Sequence, residues 1–149
     1  MERSEKSWRQ PIHDGFAVNS SNPAATLCWE LIMKQNHLVL LSKQFAVDIV
    51  NLCSDIKEHR KSNVLLNQVL RSGTSIGANI HEANYASSKA DFINKFQIAL
   101  KECYETDYWL ELFKDTNIIT DDEYKDLFYK CSKIRKLLIA SLTTAKENN

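Results

Sequence analysis

The sequence predicts an all-α protein, an antiparallel up-down-up-down four-helix bundle with an N-terminal extension. The 149 residues include only three glycines and two prolines, and both prolines precede residue 24. No proline therefore interrupts a helix beyond that point. Apolar residues after residue 36 recur at spacings of three and four, which is the period of about 3.6 residues of an α-helix and not the period of two of a strand.

The four helices are predicted at about 36–60, 63–86, 89–115 and 121–146. The breaks between them are short, and short breaks force consecutive helices to run antiparallel. The predicted inward positions are Leu38, Leu41, Phe45, Ile49, Leu52, Ile56, Leu65, Val69, Ser72, Ile76, Ile80, Ala83, Phe92, Phe96, Ala99, Cys103, Thr106, Leu110, Tyr124, Leu127, Cys131, Ile134, Leu138, Leu142 and Ala145.

Two helix starts carry capping chemistry. Ser88 precedes the third helix and supplies a hydroxyl cap, with Asp91 as an early acid. Thr120 and Glu123 form the T-x-x-E pattern of a capping box at the start of the fourth helix. Acidic side chains in a first turn also stabilise the positive end of the helix dipole.

Residues 1–35 form an N-terminal arm ahead of the bundle domain, which is predicted at 36–149; residues 1–22 of the arm are polar, and the segment AATLCWELIM that follows Pro23 is apolar. Within the arm, Asn22 and Pro23 are typical of a helix start, so a short helix is expected over 23–34. The first residues lack the apolar segment of a secretion signal, and no apolar run approaches the ~20 residues that span a bilayer. The expected location is the cytoplasm, with no membrane partner.

Composition and spacing argue against an enzyme. The four cysteines are widely spaced without a CxxC pair, so they are interpreted as buried apolar residues in a reducing compartment, not as zinc ligands. The Glu-x-x-His pairs of di-iron bundles are absent, and the neighbours His81 and Glu82 point in different directions. We expect no catalytic residues, no metal, no cofactor and no small-molecule substrate.

Two glycines inside the second helix require an explanation, because each costs about 1 kcal/mol relative to alanine. Antiparallel pairing would set Gly73 level with Cys103 and Gly77 level with Ala99. Small residues would then face small residues and allow the two backbones to approach closely. The prediction is a close helix–helix seam between the second and third helices, and the alternative is a ligand site.

Apolar residues also lie on faces that point away from the predicted core. Leu40, Val47 and Val50 form such a stripe on the first helix. A second stripe is predicted on the third helix, and its members are Ile98, Trp109 and Leu112. Scattered exposed apolar residues are common, but two aligned stripes favour a surface for self-association.

The outer face of the fourth helix carries a ladder of cations around one aromatic ring. The candidate nucleic-acid contacts are Lys125, Tyr129, Lys130, Lys133 and Lys136. Lysines bind phosphates, and an exposed ring can stack on an unpaired base. Because 19 basic residues balance 19 acidic ones, tight non-specific binding is not expected from the total charge. The alternative interpretation is a solvated helix face near a C-terminus.

Two segments carry a family resemblance: LRSGTSIGANIHEA at 70–83 and SKADFINKFQIALKECYETDYWLELF at 88–113. The sequence resembles the bacterial four-helix bundle proteins first recognised in intervening sequences of 23S ribosomal RNA genes, over about residues 37–147. The accessory variability determinant of diversity-generating retroelements is a relative of that family. The resemblance implies a ring, typically a homopentamer, and a link to RNA, since the basic retroelement relatives bind nucleic acid and partner a reverse transcriptase. It implies no catalytic residues.

Two functions remain open on sequence grounds. The first is a non-enzymatic, oligomeric accessory or scaffold protein that binds RNA or an RNA-handling enzyme such as a reverse transcriptase. The alternative is a structural adaptor that binds only protein, through residues 1–35.

Overall fold

The structure is a computed structural model that describes the backbone of residues 23–59 and 63–147 and the side chains of residues 37–57 and 64–147. These residues form four α-helices and contain no strand. The helices are α1 (Pro23–His59), α2 (Asn63–Ala83), α3 (Lys89–Asp115) and α4 (Asp121–Glu147). The predicted four-helix, all-α fold is therefore confirmed.

Helix α1 is longer than predicted. It runs without interruption from Pro23 to His59, whereas separate helices were expected over 23–34 and 36–60. The physical reason is that neither proline nor glycine follows Pro23 within this stretch, so nothing local ends the helix. The described backbone divides into two units after Ile32. The polar part of the predicted arm, residues 1–22, lies outside the described residues.

Both predicted helix caps are present. The Ser88 side chain accepts a hydrogen bond from the Asp91 backbone N–H at 3.2 Å. At the start of α4, Thr120 Oγ1 accepts from the Glu123 N–H at 3.3 Å, and the Thr120 N–H donates to Glu123 Oε2 at 2.7 Å. This reciprocal pair satisfies backbone donors that have no partner within the helix.

The core is formed by side chains from all four helices and follows the predicted stripes. Nineteen of the 25 predicted inward positions are buried; Leu41, Ile56, Leu65, Phe92, Tyr124 and Ala145 are half-buried instead. The largest fully buried side chains are Phe45, Phe96 and Phe113. Each of these rings removes more apolar area from water than a smaller buried side chain does, and so makes a large individual contribution to the hydrophobic stabilisation of the fold.

Each helix contacts two others. Helix α3 packs against both α2 and α4. Helix α1 meets α2 where Cys53 Sγ donates to the Leu66 carbonyl at 3.8 Å, and it meets α4 where Lys130 Nζ donates to Asp48 Oδ2 at 2.9 Å. The four helices therefore surround one shared core.

The two glycines of α2 face α1, not α3. A Cβ added at Gly77 would lie 3.3 Å from the Ser42 carbonyl oxygen, and one added at Gly73 would lie 2.9 Å from two carbons of Ile49. The predicted seam with Ala99 and Cys103 was therefore wrong in its partner helix. Those two residues are fully buried, but the Cys103 carbonyl accepts from Cys131 Sγ of α4 at 3.6 Å. Antiparallel pairing predicts which residues of two helices lie at the same height. It does not predict toward which neighbouring helix the small residues point.

Candidate nucleic-acid interface

Charge on α4 is divided along the helix. Residues 121–128 contain four acidic residues and one lysine, whereas residues 129–147 contain five basic residues and one glutamate. Helix α3 has the reverse order: three lysines and one aspartate in 89–101, then five acidic residues and one lysine in 102–115. Zero net charge for the whole chain therefore conceals strongly charged segments.

Two members of the predicted lysine ladder have acidic neighbours. Lys130 Nζ lies 2.6 Å from Asp126 Oδ2 and 2.9 Å from Asp48 Oδ2. Its hydrogen bonds to Asp126 and Asp48 raise the pKa of Lys130 above its ordinary value. Lys125 Nζ lies 3.6 Å from Asp122 Oδ1, and both side chains are exposed. The acidic half of α4 therefore weakens the positive potential at these two positions.

The remaining members form an exposed cation–aromatic cluster. Lys133 Nζ lies 4.3 Å from the centre of the Tyr129 ring, and that ring is 58% exposed. Lys136 is exposed one helical turn further along, and neither Lys133 nor Lys136 has an acidic partner within the described residues. Both cations are thus available to a negatively charged ligand.

A second aromatic group, which sequence reasoning missed, lies between α3 and α4. The guanidinium carbon of Arg135 is 5.0 Å from the centre of the Tyr104 ring and 5.7 Å from that of Phe128. Arg135 also donates to Asp107 Oδ2, and the other carboxylate oxygen of Asp107 is buried with no hydrogen-bond partner in the described part of the chain. Tyr104 and Tyr108 are 55% and 59% exposed. Their spacing of four residues was the signal that could have identified this face.

The apolar stripe predicted on α1 is exposed. Leu40 is 67% exposed, Val47 44% and Val50 43%. Their outward orientation is confirmed, and their role in self-association stays a prediction.

The stripe predicted on α3 lies closer to the core than expected. Ile98, Trp109 and Leu112 are half-buried, and Trp109 packs against the buried cluster. Its indole N–H donates to Glu105 Oε1 at 3.2 Å. The prediction that Trp109 lies about opposite the core stripe was wrong, because its side chain is half-buried and packs against the core cluster.

Next to Trp109, an ion-pair cluster joins α2 to α3. Arg71 contacts Glu105 and lies 3.4 Å from Glu102. Hydrogen bonds from Arg71 and Trp109 hold the pKa of Glu105 below its ordinary value. Burial raises the pKa of Glu102, although Arg71 opposes that shift. The pKa values of two carboxyl groups that share one cation are therefore shifted in opposite directions.

The described cysteines are buried, and the described metal-ligating side chains are dispersed. Within residues 37–57 and 64–147, no three His, Cys, Asp or Glu residues are grouped so that they could hold a metal ion. Cys53, Cys103 and Cys131 are buried. Burial raises the pKa of Cys53 to about 11, so that thiol stays protonated near neutral pH. The side chain of Cys28 is outside the described residues.

Together these features define a class: a small all-α protein of four helices around one core, with segregated surface charge. The match to known families is specific. Residues 34–140 match the family described as 23S rRNA-intervening sequence protein, and the chain belongs to that family.

A solved structure supports this assignment. It is the crystal structure of a protein with unknown function from the S23 ribosomal protein family of Bacteroides thetaiotaomicron. The sequence of that protein is 50% identical to this chain, and the two structures superpose with a TM-score of 0.72. The match covers 74% of this chain and 98% of that one. No curated protein matches the chain. Among the described helices, none combines the length and the apolar character needed to cross a bilayer.

Proposed function

We propose that this protein is a non-enzymatic accessory or scaffold protein that acts as a ring-shaped oligomer and binds RNA, an RNA-handling enzyme such as a reverse transcriptase, or both. In this proposal the helices form an antiparallel up-down-up-down bundle, five copies form the ring, and the protein acts in the cytoplasm. The observation that carries the proposal is the exposed cation–aromatic cluster of Tyr129, Lys133 and Lys136.

Contacts between α3 and α4 support the antiparallel arrangement. Late in α3, Lys114 Nζ lies 4.8 Å from the ring centre of Tyr124, which is early in α4. Further along α4, Arg135 contacts Asp107 and Tyr104, which come earlier in α3. In this arrangement the basic segments 89–101 and 129–147 share one end of the bundle.

A ring would multiply that basic end. One neutral subunit attracts a polyanion weakly at long range, because its acidic end opposes its basic end. Several copies side by side would place several basic ends around a single rim. Phosphate contacts release counterions, so binding of this kind weakens steeply as salt rises.

The test measures RNA affinity after charge reversal. Fluorescence anisotropy with a labelled 20-nucleotide single-stranded RNA compares wild type with Lys133→Glu/Lys136→Glu at low and moderate salt. We expect the double variant to lose binding, and the wild-type affinity to fall steeply with salt. The matched control is Lys43→Glu/Lys57→Glu, which changes net charge equally at two exposed lysines of α1 outside the candidate interface and should retain binding.

Helicity and oligomer size must be the same in all three proteins. If the wild type fails to bind at low salt, or if both double variants bind as it does, the proposal for RNA is wrong. The protein would then be better described as an adaptor that binds only protein, through residues 1–35.

A further inference from the structure

We infer that the α3–α4 face binds an extended single strand of RNA, with bases stacked on Tyr104 and Tyr108 and phosphates at Lys101 and Lys136. This inference rests on the proposed RNA function and assigns it a ligand class and a second group of residues. It adds the surface between α3 and α4 to the exposed cluster of Tyr129, Lys133 and Lys136.

The two tyrosines form a pair of exposed platforms. Each exposes more than half of its surface although it belongs to a well-packed helix. They are four residues apart, so they lie on one side of α3, separated by about 6 Å along its axis. Stacked bases in a duplex rise only about 3.4 Å per nucleotide. The spacing therefore suits a strand that is extended between successive bases.

Arg135 holds one of these platforms in place. Its guanidinium lies over the Tyr104 ring and is itself fixed by Asp107. Arg135 covers part of the Tyr104 ring, and Tyr104 stays 55% exposed to a ligand. The charge of Arg135 itself is offset by its ion pair with Asp107. Tyr104 is thus pre-oriented, so less side-chain entropy is lost when a base stacks on it.

The charge along this face changes from basic to acidic: Lys101 and Lys136 lie near Tyr104, whereas both tyrosines belong to the segment 102–115 with its five acidic residues and one lysine. Lys101 is exposed three residues before Tyr104, and Lys136 is the exposed neighbour of Arg135. At the other end, Glu111 is exposed three residues after Tyr108 and would repel a phosphate. The part of this face that can bind phosphates therefore has room for about two nucleotides and ends near Tyr108. In an RNA duplex the bases are already stacked on one another, so a duplex would contact only the lysines, through its phosphates.

The experiment measures binding of fluorescein-labelled 12-nucleotide oligouridylate and of a 12-base-pair RNA duplex to the full-length protein. Tyr104→Ala and Tyr108→Ala should each lower affinity for the single strand about 5- to 100-fold, as loss of one stacked base does. The same variants should change duplex affinity by less than about threefold. Tyr104→Phe keeps the ring and should bind as wild type does.

The matched control is Tyr85→Ala, which removes a tyrosine that is 77% exposed on the turn after α2. It should leave affinity for both RNAs unchanged. Circular dichroism and light scattering should show the same helicity and oligomer size in every variant.

The two proposals fail in different ways. If the wild type binds neither RNA, the RNA function itself is wrong. If the wild type binds the single strand and both alanine variants bind it equally well, RNA binding stands and the α3–α4 site is overturned. If the alanine variants change oligomer size, the face is a contact between copies of the chain, and the site is likewise overturned.

Discussion

The backbones of α1 and α2 meet at Ser42 and Gly77. A methyl group on Gly77 would lie 3.3 Å from the carbonyl oxygen of Ser42, which is closer than most Cβ contacts. Ser42 is buried, and its hydroxyl donates to the Val39 carbonyl at 3.0 Å within its own helix. Its side chain therefore needs no partner from α2, and a Cβ at position 77 would be in tight contact with the α1 backbone.

Gly77→Leu should destabilise the fold by about 1–3 kcal/mol or more, because the added side chain must push a backbone carbonyl away. Gly77→Ala should change the free energy of unfolding little, since the roughly 1 kcal/mol gain in helix propensity offsets the tight contact. Urea denaturation monitored by circular dichroism measures both effects.

The control for this pair is Ala78→Leu, which enlarges the exposed neighbouring residue of the same helix. We expect a change within about 0.5 kcal/mol, as is usual for a surface substitution. Equal unfolding midpoints for Gly77→Leu and wild type would show that the two helices have room for the leucine.

Thr120→Ala removes the hydroxyl that caps α4 and should cost about 1 kcal/mol in the free energy of unfolding. Thr143→Ala is the comparison, because that hydroxyl bonds only to the Ile139 carbonyl within the helix. Alanine has the higher helix propensity there, so this change should be neutral or slightly stabilising. A smaller loss for Thr120→Ala than for Thr143→Ala would contradict the capping role.

The carboxyl pair beside Arg71 predicts two opposite pH effects. Because the folded-state pKa of Glu105 is lowered, its ionised form stabilises the fold above the unfolded-state value of about 4.5. That contribution is lost as the pH falls through the folded-state pKa. Glu105→Gln should therefore lower the melting temperature at pH 7 and have a smaller effect near pH 3.

The folded-state pKa of Glu102 is raised, so its ionised form costs stability at neutral pH. Glu102→Gln should slightly raise the melting temperature at pH 7, and the gain should fade as the pH falls below the pKa of Glu102. Both effects should be a few tenths of a kcal/mol, because the pairs with Arg71 are screened by solvent. Thermal melts at pH 7 and pH 3 compare the two variants, and effects of equal sign at pH 7 would contradict the assignment.

Assembly through the α1 stripe can be tested without disturbing the core. Leu40→Asp/Val47→Asp places two charges on exposed positions and should yield helical monomers by light scattering, because a buried interface does not accept unpaired carboxylates. Ile139→Asp is the control, since it is similarly exposed on α4. If wild type and the double variant have the same mass, the stripe is not an interface.

The sequence by itself determined the features that depend on near neighbours in the chain. Helix periodicity, the Ser88 cap and the Thr120–Glu123 capping box all involve residues three or four positions apart, where backbone geometry alone brings groups together. The core stripes follow for the same reason, since one apolar face per helix has to be buried.

Only the tertiary structure decided which residues of neighbouring helices contact each other. Gly77 meets Ser42, Lys130 meets Asp48, and Arg135 lies over Tyr104, although each pair is at least thirty residues apart. These pairings depend on how each helix is rotated about its axis, and that rotation is set by the combined packing of all core side chains. A helical period specifies the inward face but leaves the two flanks equivalent, and for that reason the glycine seam was predicted on the wrong side.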